Sequence, residues 1–166
     1  MKPSTSPAPS VQRMTAHIEG DFVVFLIGMH INRPWRVTSW LPVLRAMPPM
    51  LRELQHNPQL GCLASWSSGT TIIQYWRSAE HLSAYARSRD HQHLPAWQAF
   101  NRRARTAAGD VGIWHETYLV PAGAYETVYV DTAPRGLGRA GSWVPATRAR
   151  PTSDAASTTA SGNPPT

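Results

Sequence analysis

The chain has 166 residues, enough for one domain and too few for two ordinary ones. Sixteen cations, all but one of them Arg, oppose ten acids for a formal charge of +6, yet only Arg102, Arg103 and Arg105 cluster, so nucleic acid is not an expected partner. A single cysteine, Cys62, excludes an internal disulfide framework and a multi-cysteine metal site, and the longest apolar run, Phe22–Met29, is too short to cross a bilayer.

Residues 1–16 and 146–166 are rich in Ser, Thr, Pro and Ala and poor in large apolar side chains. Such segments cannot offset the entropy of ordering their backbone, so both are expected to be disordered tails around a domain of residues 17–145. The first tail holds no apolar run of a secretion signal, and the expected location is the cytoplasm. Residues 22–31, FVVFLIGMHI, are β-branched and aromatic on both faces until His30, as in a central strand. The connection after it carries Arg33, Trp35 and Arg36.

Over residues 40–56, Trp40, Leu44, Met47, Leu51 and Leu54 recur at intervals of four and three, one face of a helix. Ser39 is a candidate N-cap, which puts Pro42 in the first turn, while Pro48 and Pro49 predict a kink or a break. Residues 60–67 and 71–77 read as a hairpin around Ser68-Gly69-Thr70. Ser78 can cap a helix over 79–87, with Leu82, Tyr85 and Ala86 inward. Pro95 suits the first turn of a further helix over 95–106, where Trp97, Phe100, Asn101 and Ala104 share a face.

Residues 111–120, VGIWHETYLV, read as a strand that turns Val111, Ile113, His115, Thr117 and Leu119 one way and Trp114, Glu116, Tyr118 and Val120 the other. A last strand is expected over 125–130, followed by a glycine-diluted stretch at 136–141 and an anchor at Trp143 and Val144. Strand, helix, hairpin, helix pair, strand is the split βαβ, ferredoxin-like order of an α+β domain: an antiparallel sheet with helices on one face. The other face needs cover, and a second subunit, reached by strand 125–130, is the expected one.

Histidine is the side chain whose ordinary pKa lies near neutrality, and His30, His91, His93 and His115 stand at strand ends, in a loop and mid-strand. His91 and His93, two apart and beside Asp90, resemble a fragment of a metal site, but so short a fragment is weak evidence and no metal is expected. His115 lies in an apolar neighbourhood where a neutral imidazole can accept a proton or ligate iron. Glu116 points the other way, between Trp114 and Tyr118. Trp35, Trp76, Trp97, Trp114 and Tyr118 are candidate walls for a flat apolar ligand.

Three stretches carry a resemblance: IGMHINRPWRVTSWLPVLRAMPPMLREL, IIQYWRSAEHLSAYARSRDHQHLPAWQAFNRR and GDVGIWHETYLVPAGAYETVYV. Through them residues 22–145 resemble a group of small bacterial and fungal monooxygenase-like proteins in the dimeric α/β-barrel superfamily, alongside antibiotic-biosynthesis monooxygenases. The resemblance implies a ferredoxin-like monomer and a homodimer in which two sheets build a barrel, with a pocket between each sheet and its helices. It also implies small-molecule chemistry, because the superfamily includes cofactor-independent oxygenases of aromatic polyketides, haem-degrading enzymes, chlorite dismutases and aldoxime dehydratases.

The expected activity is cofactor-independent oxygenation of an enolisable or phenolic secondary metabolite. His93 or His115 is the candidate base, and Arg33 or Asn101 the candidate donor to an oxyanion. Trp35, Trp76, Trp97, Trp114, Glu116 and Tyr118 are the candidate substrate-binding residues. The alternatives are a haem enzyme with His115, His93 or His91 on iron and Arg33 on a propionate, or a non-redox isomerase, cyclase or small-molecule binding dimer. The pocket is expected between the sheet and helix 95–106, closed by the loop 32–38.

Overall fold

The computed structural model describes residues 12–88 and 109–146. In chain order these form β1 (Arg13–His17), β2 (Phe22–Ile31), α1 (Val37–His56), a 3-10 turn (Pro58–Leu60), β3 (Cys62–Ser68), β4 (Thr71–Trp76) and α2 (Ala79–Arg87). Then follow β5 (Val111–Val120), β6 (Tyr129–Val130), a second 3-10 turn (Gly136–Arg139) and β7 (Ser142–Pro145). The expected helix over 95–106, with Trp97 and Asn101, and the loop with His91 and His93 lie outside the described residues.

The main sheet has the order β3-β4-β2-β5, and every neighbouring pair is antiparallel. β2, the most apolar strand, is flanked on both sides, as its two-faced pattern requires. Cross-strand pairing sets Val23 opposite Trp76, Phe25 opposite both Gln74 and Thr117, and Ile27 opposite both Ile72 and His115. Directly paired residues share a face, so these side chains form one floor. Against it pack α1 and α2, and Val23, Leu54, Trp76 and Tyr85 are the buried cluster between the layers. The molecule is thus a mixed α+β fold with antiparallel sheets and two described helices. Neither helix is long and apolar enough to cross a membrane.

The structure departs from the sequence expectations at four places. The segment assigned to the N-terminal tail holds β1 from Arg13 onward. β1 lies at the centre of a second sheet, β6-β1-β7, with Met14 and Ala16 buried. Its backbone is satisfied by partners more than a hundred residues away, Val130 and Pro145 among them, so nothing local announces it. Secondly, the strand expected over 125–130 shortens to Tyr129–Val130 and pairs with β1 of the same chain. Upstream, side chains take over: Tyr125 Oη accepts the Ile18 N–H at 2.6 Å, and Thr127 Oγ1 accepts that of Ala16 at 2.8 Å.

Thirdly, residues 136–141 are not dilute. Leu137 and Gly138 are buried, and Leu137 packs with Ala16, Ile18 and Phe22 over the face of the main sheet away from the helices. The second sheet therefore covers the Phe22 end of that face from within the chain. Fourthly, α1 begins at Val37 and runs unbroken through Pro42, Pro48 and Pro49. Pro48 and Pro49 withhold donors from the carbonyls of Leu44 and Arg45, residues on the exposed side of the helix where water can serve instead. Ser39 does not cap α1; its hydroxyl donates to Asp110 Oδ2 at 2.9 Å.

Candidate active site

A cavity of about 380 Å³ lies between the floor of the main sheet and the two helices. β2 contributes Phe25 and Ile27, β4 Gln74, and β5 Ile113, His115 and Thr117. α1 contributes Met47 and Met50, and α2 contributes Ala79, Leu82, Ser83, Tyr85 and Ala86. Each strand supplies alternate residues, and α1 supplies positions three apart, which is why one wall is built from such scattered sequence. Most of the lining is apolar, with a few polar groups converging on it, the usual composition of a small-molecule site.

His115 stands on the edge strand, where the cavity opens to solvent, with its ring 5.8 Å from that of Phe25 and tilted by 39°. Tyr85 closes the helix side. Its ring lies 5.6 Å from the Trp76 indole, and its hydroxyl donates to Glu53 Oε2 at 2.9 Å. Burial first, and then the Glu53 carboxylate, raise the Tyr85 hydroxyl well above the usual phenol range. That hydroxyl stays protonated and serves as a donor rather than as a base. Gln74 is buried in the floor, its Oε1 accepting the Trp76 Nε1–H at 3.0 Å.

Of the residues singled out in the sequence, His115 is the one the structure places on the cavity wall. Trp76 is fully buried and stands behind the wall, supporting Tyr85 and Gln74. Trp114, Glu116 and Tyr118 project from the other face of β5, because successive strand residues face opposite ways. There Tyr118 Oη donates to Glu116 Oε2 at 2.6 Å, and the Trp114 indole lies over Gly28, where any side chain would collide with it. They line no common cavity with His115.

Arg33 is likewise elsewhere. Its Nη1 pairs with Asp110 Oδ1 at 3.0 Å, and Trp35 beside it is 75% exposed. Asp110 is buried where β2, α1 and β5 meet, and the Ser39 hydroxyl, followed by Arg33, holds its carboxyl below the usual range. This corner is a structural clasp. His91, His93, Trp97 and Asn101 lie outside the described residues. Among the described residues, no group of three or more His, Cys, Asp or Glu side chains is arranged to hold a metal ion.

Sequence reasoning passed over Gln74, Tyr85, Met47 and Met50 as wall residues. A signal existed for Gln74: it is an amide at the centre of a strand face whose other members are Ile72 and Trp76. For Met50 there was none, since it falls outside the stripe drawn through Leu44 and Leu51.

Comparison with known proteins agrees with this architecture. In fold, the chain is similar to aldoxime dehydratase in its crystal structure, with a TM-score of 0.58 at 19% identity over 82% of this chain and 43% of that one. A conserved protein from Bacteroides thetaiotaomicron, described as a possible oxidoreductase, superposes at a TM-score of only 0.37 and 15% identity, over 61% of this chain and 99% of that one. In sequence, the chain is 31% identical to monooxygenase af470 of Aspergillus fumigatus over 135 aligned positions, an alignment that covers 73% of this chain and 46% of the relative. It thus spans about half the length of that relative. The model of the monooxygenase af470-like family matches residues 22–137, a span that takes in the whole main sheet and both helices, and the chain belongs to that family.

Proposed function

We propose that the protein is a small-molecule oxygenase that acts on an enolisable or phenolic compound held between sheet and helices, with His115 as its base. The observation that carries this reading is His115 on the wall of a largely apolar cavity. Among the described lining residues it is the one imidazole, the side chain suited to take up and release a proton. Family membership supports oxidoreductase chemistry in general terms.

The imidazole takes a proton from an acidic C–H or O–H. The carbanion or phenolate passes one electron to dioxygen, and the resulting pair of radicals combines to a peroxide. Where the carbon is a methylene, loss of water leaves a carbonyl, so one dioxygen converts CH2 to C=O and water. Apolar side chains line most of the site, and a donor in its floor holds the oxygen on which charge develops.

Haem is the cofactor the superfamily resemblance also admits. His115 offers a ring nitrogen, but no described residue on the wall is a cation able to pair with the haem carboxylates. No step is assigned through haem.

The same reading takes the monomer as ferredoxin-like and the working form as a homodimer. The strand order β3-β4-β2-β5, with a helix in each crossover, supports the first. Exposed Trp66, Trp114 and Tyr118 on the face away from the helices support the second.

The test is oxygen uptake with anthrone, whose acidic methylene suits the chemistry, by wild type and by His115→Gln. The variant is expected to lose about a hundredfold or more in kcat with an unchanged circular dichroism spectrum. No uptake by the wild type, or a wild-type rate in the variant, overturns the reading.

A further inference from the structure

We infer that Gln74 is the donor that selects ligands of this cavity for a carbonyl, enolate or phenolate oxygen, an inference that rests on the cavity being the ligand site. Gln74 is 6% exposed and sits at the centre of β4. Two residues on, the fully buried Trp76 shares its face and donates Nε1–H to Gln74 Oε1 at 3.0 Å. An indole nitrogen only donates, so the atom facing it has to be the amide oxygen. The orientation of the amide is therefore settled by chemistry, and its NH2 is turned away from Trp76.

Among the described residues, Gln74 Nε2 has no hydrogen-bond partner, although Gln74 lines the cavity. No buried side-chain nitrogen or oxygen among the described residues lacks a partner, so Nε2 is open to the cavity, where a water or a ligand acceptor can meet it. The support behind it is rigid: Trp76 is itself packed against Tyr85, ring centroids 5.6 Å apart, so the amide is held before any ligand arrives.

Gln74 and Thr117 both pair with Phe25, one from each side, and His115 lies two residues from Thr117 on the same face. With strands spaced about 4.8 Å apart and a rise of about 3.4 Å per residue, the backbone positions that carry donor and base stand about 12 Å apart on either side of Phe25. A flat ligand lying across the Phe25 ring reaches both. The class of ligand is then a flat, ring-fused ketone whose acidic C–H lies across a ring from the carbonyl, with its oxygen on the Gln74 side and that C–H toward His115.

The experiment compares 1-tetralone with tetralin, the same bicyclic skeleton without the oxygen, by calorimetric titration of the full chain. Gln74→Met, which keeps length and removes the donor, is expected to weaken 1-tetralone about tenfold and leave tetralin unchanged. Gln74→Glu keeps an oxygen toward Trp76 and serves if the Met variant fails to fold; at pH 8 it too is expected to lose the ketone selectively. Trp76→Phe leaves the amide in place but frees it to rotate, and an intermediate loss is expected. An unchanged ratio of the two affinities, or equal weakening of both probes, overturns the assignment. Failure of the wild type to bind either probe overturns it together with the cavity reading. Selective loss of the ketone alongside a wild-type oxygen-uptake rate in His115→Gln leaves Gln74 assigned and removes the proposed base.

Discussion

Truncating Leu54 to Ala tests which stripe of α1 faces the sheet. The periodicity of α1 puts Leu44 and Leu54 on one face, whereas in the structure Leu54 is 3% exposed and Leu44 is 39% exposed. Leu54 packs with Val23, Trp76 and Tyr85, where a strand and two aromatic rings leave little freedom to collapse. Removing three buried carbons costs about 2.4 kcal/mol at about 0.8 kcal/mol per methylene. A residual void of about 40 Å³ adds about 1 kcal/mol at roughly 24 cal/mol per Å³. The expected loss is therefore about 3 kcal/mol, a fall of roughly 1.5 M in the urea midpoint for a slope of about 2 kcal/mol per M. Urea unfolding followed by circular dichroism measures it, provided the slope is unchanged. Leu44→Ala should cost less than about 1 kcal/mol, because the side chain is already half in water and Ala favours the helix. Equal losses for the two variants would refute the placement of α1.

Two further outcomes follow from the electrostatics. The Asp110 carboxyl is held below its ordinary range, first by Ser39 and then by Arg33, so the stability it contributes is complete above a pH of about 4 and is lost as pH falls through its folded value. The stability gap between wild type and Ser39→Ala should accordingly be full at pH 6 and narrow below about pH 4, and a gap constant down to pH 2 contradicts the clasp. Burial pushes the Cys62 thiol up to about 11. At pH 8 its alkylation by iodoacetamide should run on the order of a hundredfold slower than in urea-unfolded protein, and equal rates would show the thiol to be open to solvent.

Strand and helix identity on the main sheet was legible because it is written in short-range periodicity. The two-residue alternation of 111–120 alone separated His115 from Glu116, and the apolar run 22–31 alone announced a strand with neighbours on both sides. The family resemblance was legible too, since it rests on rare residues in a set order. Alternation says that two faces differ, however, and not which one the helices cover. That depended on how α1 and α2 return over the sheet, and it put His115 in the cavity while leaving Trp114, Glu116 and Tyr118 outside it. Arg33 looked free for an oxyanion because its partner, Asp110, is 77 residues away. The second sheet was invisible for the same reason. β1 has no core of its own, and its stability comes from strands at the other end of the described chain. Through-space partners likewise decided the part of Gln74: in the sequence it interrupts an apolar strand, and the Trp76 indole makes it an oriented donor.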